Sequence, residues 1–234
     1  MWNWIREVLI IVVSALVLSL VIKTFFFQSF WIPSASMENT LVENDRILVT
    51  KWRPGPLALR HGDVVVFKDP NNWLQHDPAD NPTGLSKVGA EVLTFTGLLP
   101  EDAGEHLIKR IVGLPGDVVS CTDADATVEV NGESVDEPYI KPGTQPCGRE
   151  FEVTVPPGYL WVMGDNRDNS ADSRAHMGEP GGGTIPIDNV VGTTFAVVWP
   201  TSHWTGIGNP FDEDSTPAAV EPSSTASPTT PAAE

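Results

Sequence analysis

Basic side chains are scarce in this 234-residue chain: 14 Lys and Arg stand against 31 Asp and Glu, a formal net charge of −17. That imbalance argues against a nucleic-acid partner, because binding to phosphate backbones depends on clustered positive charge. Histidine is sparse too. The five present (His61, His76, His106, His176 and His203) fall in no HExxH or paired spacing, so no metal centre and no cofactor are expected. The chain lacks a G-x-S-x-G elbow, the signature of one large group of serine hydrolases. Only two cysteines occur, Cys121 and Cys147. No internal repeat is present, and no long amphipathic helical pattern follows the N-terminal segment.

One long hydrophobic run is present. Residues 8–22 are fifteen uncharged positions, nearly all aliphatic. A spanning helix needs about 20 residues. Lys23 can snorkel to the interface and let Thr24 through Phe27 complete the span. Trp2, Trp4, Phe30 and Trp31 then bracket it as interfacial aromatics. A cleavable signal peptide is the competing reading, but no Ala-x-Ala site follows. Residues 1–29 are therefore expected to be an uncleaved anchor in a lipid bilayer. Arg6 and Lys23 flank opposite ends, so charge leaves the orientation open. At the other end of the chain, 208–234 holds five acidic and no basic residues in a Ser-, Thr-, Ala- and Pro-rich background. Such a segment buries too little apolar surface to offset the entropy of ordering, and a disordered tail is expected.

Between these ends the signals are β throughout. Short β-type runs lie at 46–50, 63–67, 107–112, 118–120, 127–130, 151–155, 160–163 and 193–199. Asn131-Gly132 is a two-residue hairpin signal, and Gly113-Leu114-Pro115-Gly116-Asp117 is a turn. The expected fold class is mainly β: an N-terminal transmembrane helix, then an all-β domain over 30–207 with a smaller β excursion at about 118–158. The segment 69–105 has no assigned role.

Lys109 is the residue that stands out chemically. It sits in Leu107-Ile108-Lys109-Arg110-Ile111-Val112, otherwise a buried-strand pattern, and alternation puts it on the same side as Leu107 and Ile111. Burial disfavours the charged amine and lowers its pKa, which makes a general base; a lysine on an edge strand snorkelling to water is the plain alternative. Far upstream, Pro33-Ser34-Ala35-Ser36-Met37 offers two hydroxyls at alternate positions. Ser36 beside a lysine base would be an activated nucleophile, and the Ser34 hydroxyl with the Ser36 backbone N–H could bind an oxyanion. A third segment, Gly164-Asp165-Asn166-Arg167-Asp168-Asn169-Ser170-Ala171-Asp172-Ser173-Arg174, is too polar for a strand. Its acidic spacing does not fit an EF-hand loop.

Four blocks in order, the segment 33–41, Gly62-Asp63-Val64-Val65-Val66-Phe67, KRIVGLPGD from Lys109 and GDNRDNSADSR from Gly164, resemble the bacterial type I signal peptidase family of membrane-bound Ser/Lys endopeptidases. The resemblance implies Ser36 as nucleophile, Lys109 as general base and Ser34 as an oxyanion donor. It implies that Ser170 orients the lysine and that Asp172 and Arg174 form a supporting ion pair. It also implies exported preproteins as substrates, cleaved after small residues of Ala-x-Ala type; shallow pockets lined by small or aliphatic side chains such as Ile32 would explain that preference. A neighbouring protein-export machinery is a possible further partner. The chain departs from the family at Asn39, where proline is usual, and at Ala175-His176-Met177-Gly178, where aromatics and glycine are usual.

The resemblance implies a catalytic domain outside the cell, on a single-pass plasma-membrane protein with its N-terminus in the cytoplasm. In that compartment Cys121 and Cys147 read as one disulfide, against two unpaired small hydrophobes in a cytosolic domain. Two further alternatives stay open. One is a serine hydrolase that uses His106 or His176; the other is a membrane-tethered β scaffold without activity.

Overall fold

A computed structural model describes residues 2–70, 73–74 and 106–211. Helix α1 covers Trp2–Phe25. Within it, Trp4–Val21 has a mean hydropathy of 2.3 and packs against nothing in the protein. At about 1.5 Å per residue the helix exceeds the roughly 30 Å of a bilayer's hydrocarbon core. It is long and apolar enough to cross a membrane by itself.

The expectation that Thr24 through Phe27 complete the span is therefore corrected. The helix stops at Phe25, and Phe27–Trp31 is strand β1, in antiparallel register with β2 (Arg46–Thr50) from Phe27↔Thr50 to Trp31↔Arg46. Phe30 is not an interfacial aromatic either; it is buried in the core. The competing physical term is sheet pairing. The aromatic-rich sequence Phe27-Gln28-Ser29-Phe30-Trp31 suits a half-buried strand, and pairing with β2 satisfies its backbone groups.

The remaining strands are β3 (Val64–Lys68), β4 (His106–Gly113), β5 (Val118–Cys121), β6 (Glu129–Val130), β7 (Glu133–Ser134), β8 (Phe151–Thr154), β9 (Tyr159–Met163), β10 (Ile185–Pro186), β11 (Val190–Trp199) and β12 (Thr205–Gly206). Eight of the strands form one antiparallel sheet in the order β1-β2-β11-β3-β4-β9-β10, with β12 on β11. A second sheet, β7-β6-β5-β8, is the excursion. The β6–β7 turn is the Asn131-Gly132 hairpin, with φ +56° and +80° at the two residues, as a two-residue turn of this kind demands.

Period-two alternation divides the core. Val64, Val66 and Ile108 join Phe30, Ile32, Met37 and Leu41 in one cluster, while Val65, Phe67, Leu107 and Ile111 join Leu160 and Val162 in another. A third cluster, including Val112, Val119, Phe151 and Trp161, welds the excursion to the main sheet. Its members include Cys121 and Cys147, which are joined in a disulfide with their Cα atoms 5.9 Å apart.

The tail begins later than expected. Asn209 donates to the His61 carbonyl (2.7 Å) and to Asp63 (2.8 Å), and the Phe211 ring meets that of Tyr139. Residues 208–211 thus belong to the body, because one amide side chain and one ring find partners there. The rest of the tail lies outside the described residues. So does most of segment 69–105; of the four residues described there, Asp69 accepts the Trp73 and Leu74 N–H groups, and the Trp73 ring packs edge-on against Phe67.

The disulfide closes a loop across a sequence separation of 26. In the chain-entropy view such a cross-link stabilises by about 3 kcal/mol. Replacing both cysteines with alanine is expected to lower the unfolding free energy by about that amount. Urea midpoints of the detergent-solubilised chain, oxidised, reduced and doubly substituted, measure it.

Candidate active site

Three segments distant in sequence converge beside strand β4. The first leaves β1 and makes a short 3-10 turn over Ala35–Met37. Met37 and Leu41, fully buried, pin this turn into the core. Inside the turn, the Glu38 N–H donates to the Ala35 carbonyl, and the Thr40 and Leu41 N–H groups both donate to the Met37 carbonyl. Ser36 is left buried, with its Oγ 3.4 Å from Ser34 Oγ.

The second contribution is Lys109. Strand β4 lies inside the sheet between β3 and β9, with Lys109 opposite Val65, so the edge-strand alternative does not apply. Lys109 Nζ is 2.7 Å from Ser36 Oγ and 2.9 Å from the Ile108 carbonyl oxygen. Its side chain is buried, and burial lowers its pKa from 10.5 to about 8, against the opposing pull of Asp172 and Asp165.

Those two carboxylates would keep the amine charged if they were free, but each is already paired. Arg110 donates to both oxygens of Asp165 from Nε and Nη2, at 2.9 and 2.6 Å. Arg174 donates to both oxygens of Asp172 at 2.9 and 2.8 Å. Burial alone would raise the Asp172 pKa; hydrogen bonds and charge from Arg174, with the Gly164 N–H, bring it below the ordinary value. Paired anions attract a nearby cation less, so desolvation decides the state of Lys109.

The third segment runs from Gly164 to Arg174. The Asn166 N–H donates to the Ser36 carbonyl and the Asn166 carboxamide to that of Ala35. Gly164 is required by closeness: a Cβ there would overlap Ser170 Oγ and the Ser36 carbonyl oxygen.

The Ser170 hydroxyl is buried beside Asp172, whose pKa it helps to lower, and the partners of the Lys109 amine are Ser36 Oγ and the Ile108 carbonyl.

The histidine alternative finds no support in the geometry. The hydrogen-bond partners of Ser36 Oγ are Lys109 and Ser34. The His176 ring stacks on Trp73 at 4.1 Å and bonds to Glu179, and the His106 ring faces Phe30. A shallow cleft next to the site is lined by Phe30, Ile32, Pro33, Val66, His106 and Ile108, among others. Asn166, Thr40 and the Arg110–Asp165 pair were not singled out from sequence, although all four lie within the quoted blocks. Tyr139, which stacks under the Arg110 guanidinium at 3.9 Å, had no signal at all.

An apolar N-terminal helix leads into a mainly β domain in which a serine hydroxyl meets a buried lysine amine, a pair able to serve as nucleophile and base in a hydrolase. Comparison with known proteins narrows the class. The family model "Signal peptidase, peptidase S26" matches residues 1–199. The chain is similar to the probable signal peptidase I of Mycobacterium leprae, at 40% identity over 87% of this chain and 79% of that protein. It is 39% identical to signal peptidase I of Mycobacterium tuberculosis H37Rv, over 85% and 74% of the two chains. Signal peptidase I U of Bacillus subtilis is 31% identical over 82% of this chain and 84% of its own. The chain belongs to the signal peptidase S26 family and is an enzyme of the signal peptidase I type.

The lowered pKa makes Lys109 a measurable cost. Below pH 8 both the native and unfolded states carry its charge, and the native state bears it in a desolvated place. Between about 8 and 10.5 only the unfolded lysine is protonated, so the penalty is lost as pH rises. The stability difference between wild type and Lys109→Met is thus expected to move in favour of wild type by about 3 kcal/mol from pH 7 to above pH 10.5. Denaturation of both proteins across that range tests this, and groups common to both cancel.

Proposed function

We propose that this chain removes N-terminal signal peptides from exported preproteins through a Ser36 nucleophile and a Lys109 general base. The 2.7 Å contact between Lys109 Nζ and Ser36 Oγ, in a setting that lowers the amine pKa to about 8, carries this reading. Neutral Lys109 takes the hydroxyl proton as Ser36 Oγ bonds to the scissile carbonyl carbon. The oxyanion is held by the Ser36 N–H and the Ser34 hydroxyl. The lysine then gives its proton to the leaving amine, and the peptide C–N bond breaks. Water, deprotonated by the same amine, releases the acyl group and restores Ser36. Asp172 and Arg174 support the lysine's surroundings, and Ser170 fills the space against Gly164.

Cleavage after small residues, of Ala-x-Ala type, fits a shallow cleft lined by Ile32 and its aliphatic and aromatic neighbours. We assign the N-terminus to the cytoplasm and the catalytic domain to the far side of the plasma membrane, beside the protein-export machinery. The disulfide supports this side, since such bonds persist in oxidising compartments.

Cleavage of a preprotein in detergent by wild type, Ser36→Ala, Lys109→Met and a His106→Ala/His176→Ala double variant tests the mechanism. The two single variants are expected to be folded and inactive and the double variant active. Wild-type kcat/KM is expected to rise with pH around a midpoint of about 8. A midpoint at the free-lysine value of about 10.4 would contradict a desolvated base. External protease added to intact cells is expected to digest the β domain and spare the N-terminus; digestion only after lysis would reverse the orientation.

A further inference from the structure

Asn39 stands where the family's first block usually carries proline, and its backbone is left-handed, with φ at +98°. A proline ring holds φ near about −65°, so the conformation seen here is closed to it. Left-handed backbone is unfavourable for L residues other than glycine, and least so for Asn and Asp. A residue held in this region is over-determined by its surroundings. Asn39 Nδ2 donates to the Tyr139 carbonyl at 3.0 Å and reaches that of Ile140 at 3.5 Å, one hundred residues further on.

Both ends of this bond are fixed to the site. On one side, Asn39 sits between Met37, whose carbonyl closes the Ser36 turn, and Thr40, whose hydroxyl donates to Asp165. On the other, Tyr139 is immobilised: its hydroxyl donates to Glu137 at 2.8 Å, its ring lies under the Arg110 guanidinium, and Phe211 packs against it edge-on. The nearby Glu38–Lys141 pair spans the same two segments at 2.8 Å but is exposed, and contacts of that kind contribute little. Asn39 itself is exposed, but its carboxamide bond joins two fixed backbones, the left-handed turn after Ser36 and the immobilised Tyr139 segment, and so links the nucleophile turn to the excursion.

We propose that Asn39 is a positioning residue for the reaction: its carboxamide, donating to the Tyr139 carbonyl from a left-handed backbone, sets the Ser36 turn against Lys109. This rests on the Ser36/Lys109 reading. The test is steady-state cleavage of a preprotein by the full chain in detergent, with Asn39→Gly, Asn39→Asp, Asn39→Pro and Ser36→Ala beside wild type. Glycine keeps the backbone and removes the donor. Aspartate keeps size and backbone and turns an acceptor toward the carbonyl. Each is expected to lower kcat by about three- to tenfold, the worth of one such hydrogen bond. KM, the melting temperature and the pH midpoint near 8 are expected to stay at wild-type values. Proline, which also resets the backbone, is expected to lose more.

Wild-type kcat in the glycine or aspartate variant overturns the proposal, as does a loss confined to melting temperature and folded fraction with kcat per folded molecule intact. Activity in Ser36→Ala would instead overturn the nucleophile assignment beneath it, whatever the Asn39 variants do.

Discussion

The contact between Lys109 Nζ and Ser36 Oγ sets the terms for everything around it. A lysine amine is useful as a base near neutrality only when it is uncharged, and burial is what makes it so. Burial, however, is compatible with the site only if no neighbouring anion rescues the charge. Asp165 and Asp172 are fully buried next to this amine. Each must be held by its own guanidinium, with nearly every lone pair satisfied, or the lysine would return to its ordinary state. Hence the density of arginine pairing in a chain otherwise poor in basic residues. Arg110 and Arg174 both sit in this network at 6% exposure or less. Removing either partner would leave a buried charge uncompensated, which costs several kcal/mol.

Geometry then ties this chemistry closely to the apolar helix. Helix α1 ends at Phe25, and β1 carries the chain directly to the Ser36 turn. The eleven positions from 26 to 36 span at most about 40 Å even when fully extended. Because β1 is tied to β2 along its whole length, Ser36 is fixed relative to the sheet as well as tethered to the helix. A substrate whose own apolar segment lies in the bilayer would present its cleavage point within this reach.

Much of this was legible in the residues. Lys109 drew attention because a charge interrupts an aliphatic strand pattern, and the dense polar block from Gly164 because nothing so hydrophilic could be a strand. Every strand of five residues or more after β1 was anticipated to within a few positions, since alternation is local. What escaped was set by long-range partners. Phe30 looks like an interfacial aromatic until β2 appears beside it, and Asn209 and Phe211 look like tail until Asp63 and Tyr139 receive them. The Ile108 carbonyl, a partner of the Lys109 amine, escaped for a different reason: it is a backbone group with no sequence signature.

The excursion belongs to the same machinery. Arg174, the partner of Asp172, also donates to the Cys147 carbonyl at 2.9 Å and to that of Arg167. Arg167 in turn pairs with Glu137, which receives the Tyr139 hydroxyl. The cross-link at Cys147 therefore fixes the carbonyl that helps hold Arg174 in place, and Arg174 is what keeps Asp172 from recharging the lysine. A β unit that contributes neither Ser36 nor Lys109 thus bears on the surroundings of that lysine through two buried guanidinium groups. That is a physical reason for a disulfide in the excursion, at the point where its chain passes behind the site, and one that loop entropy alone does not supply.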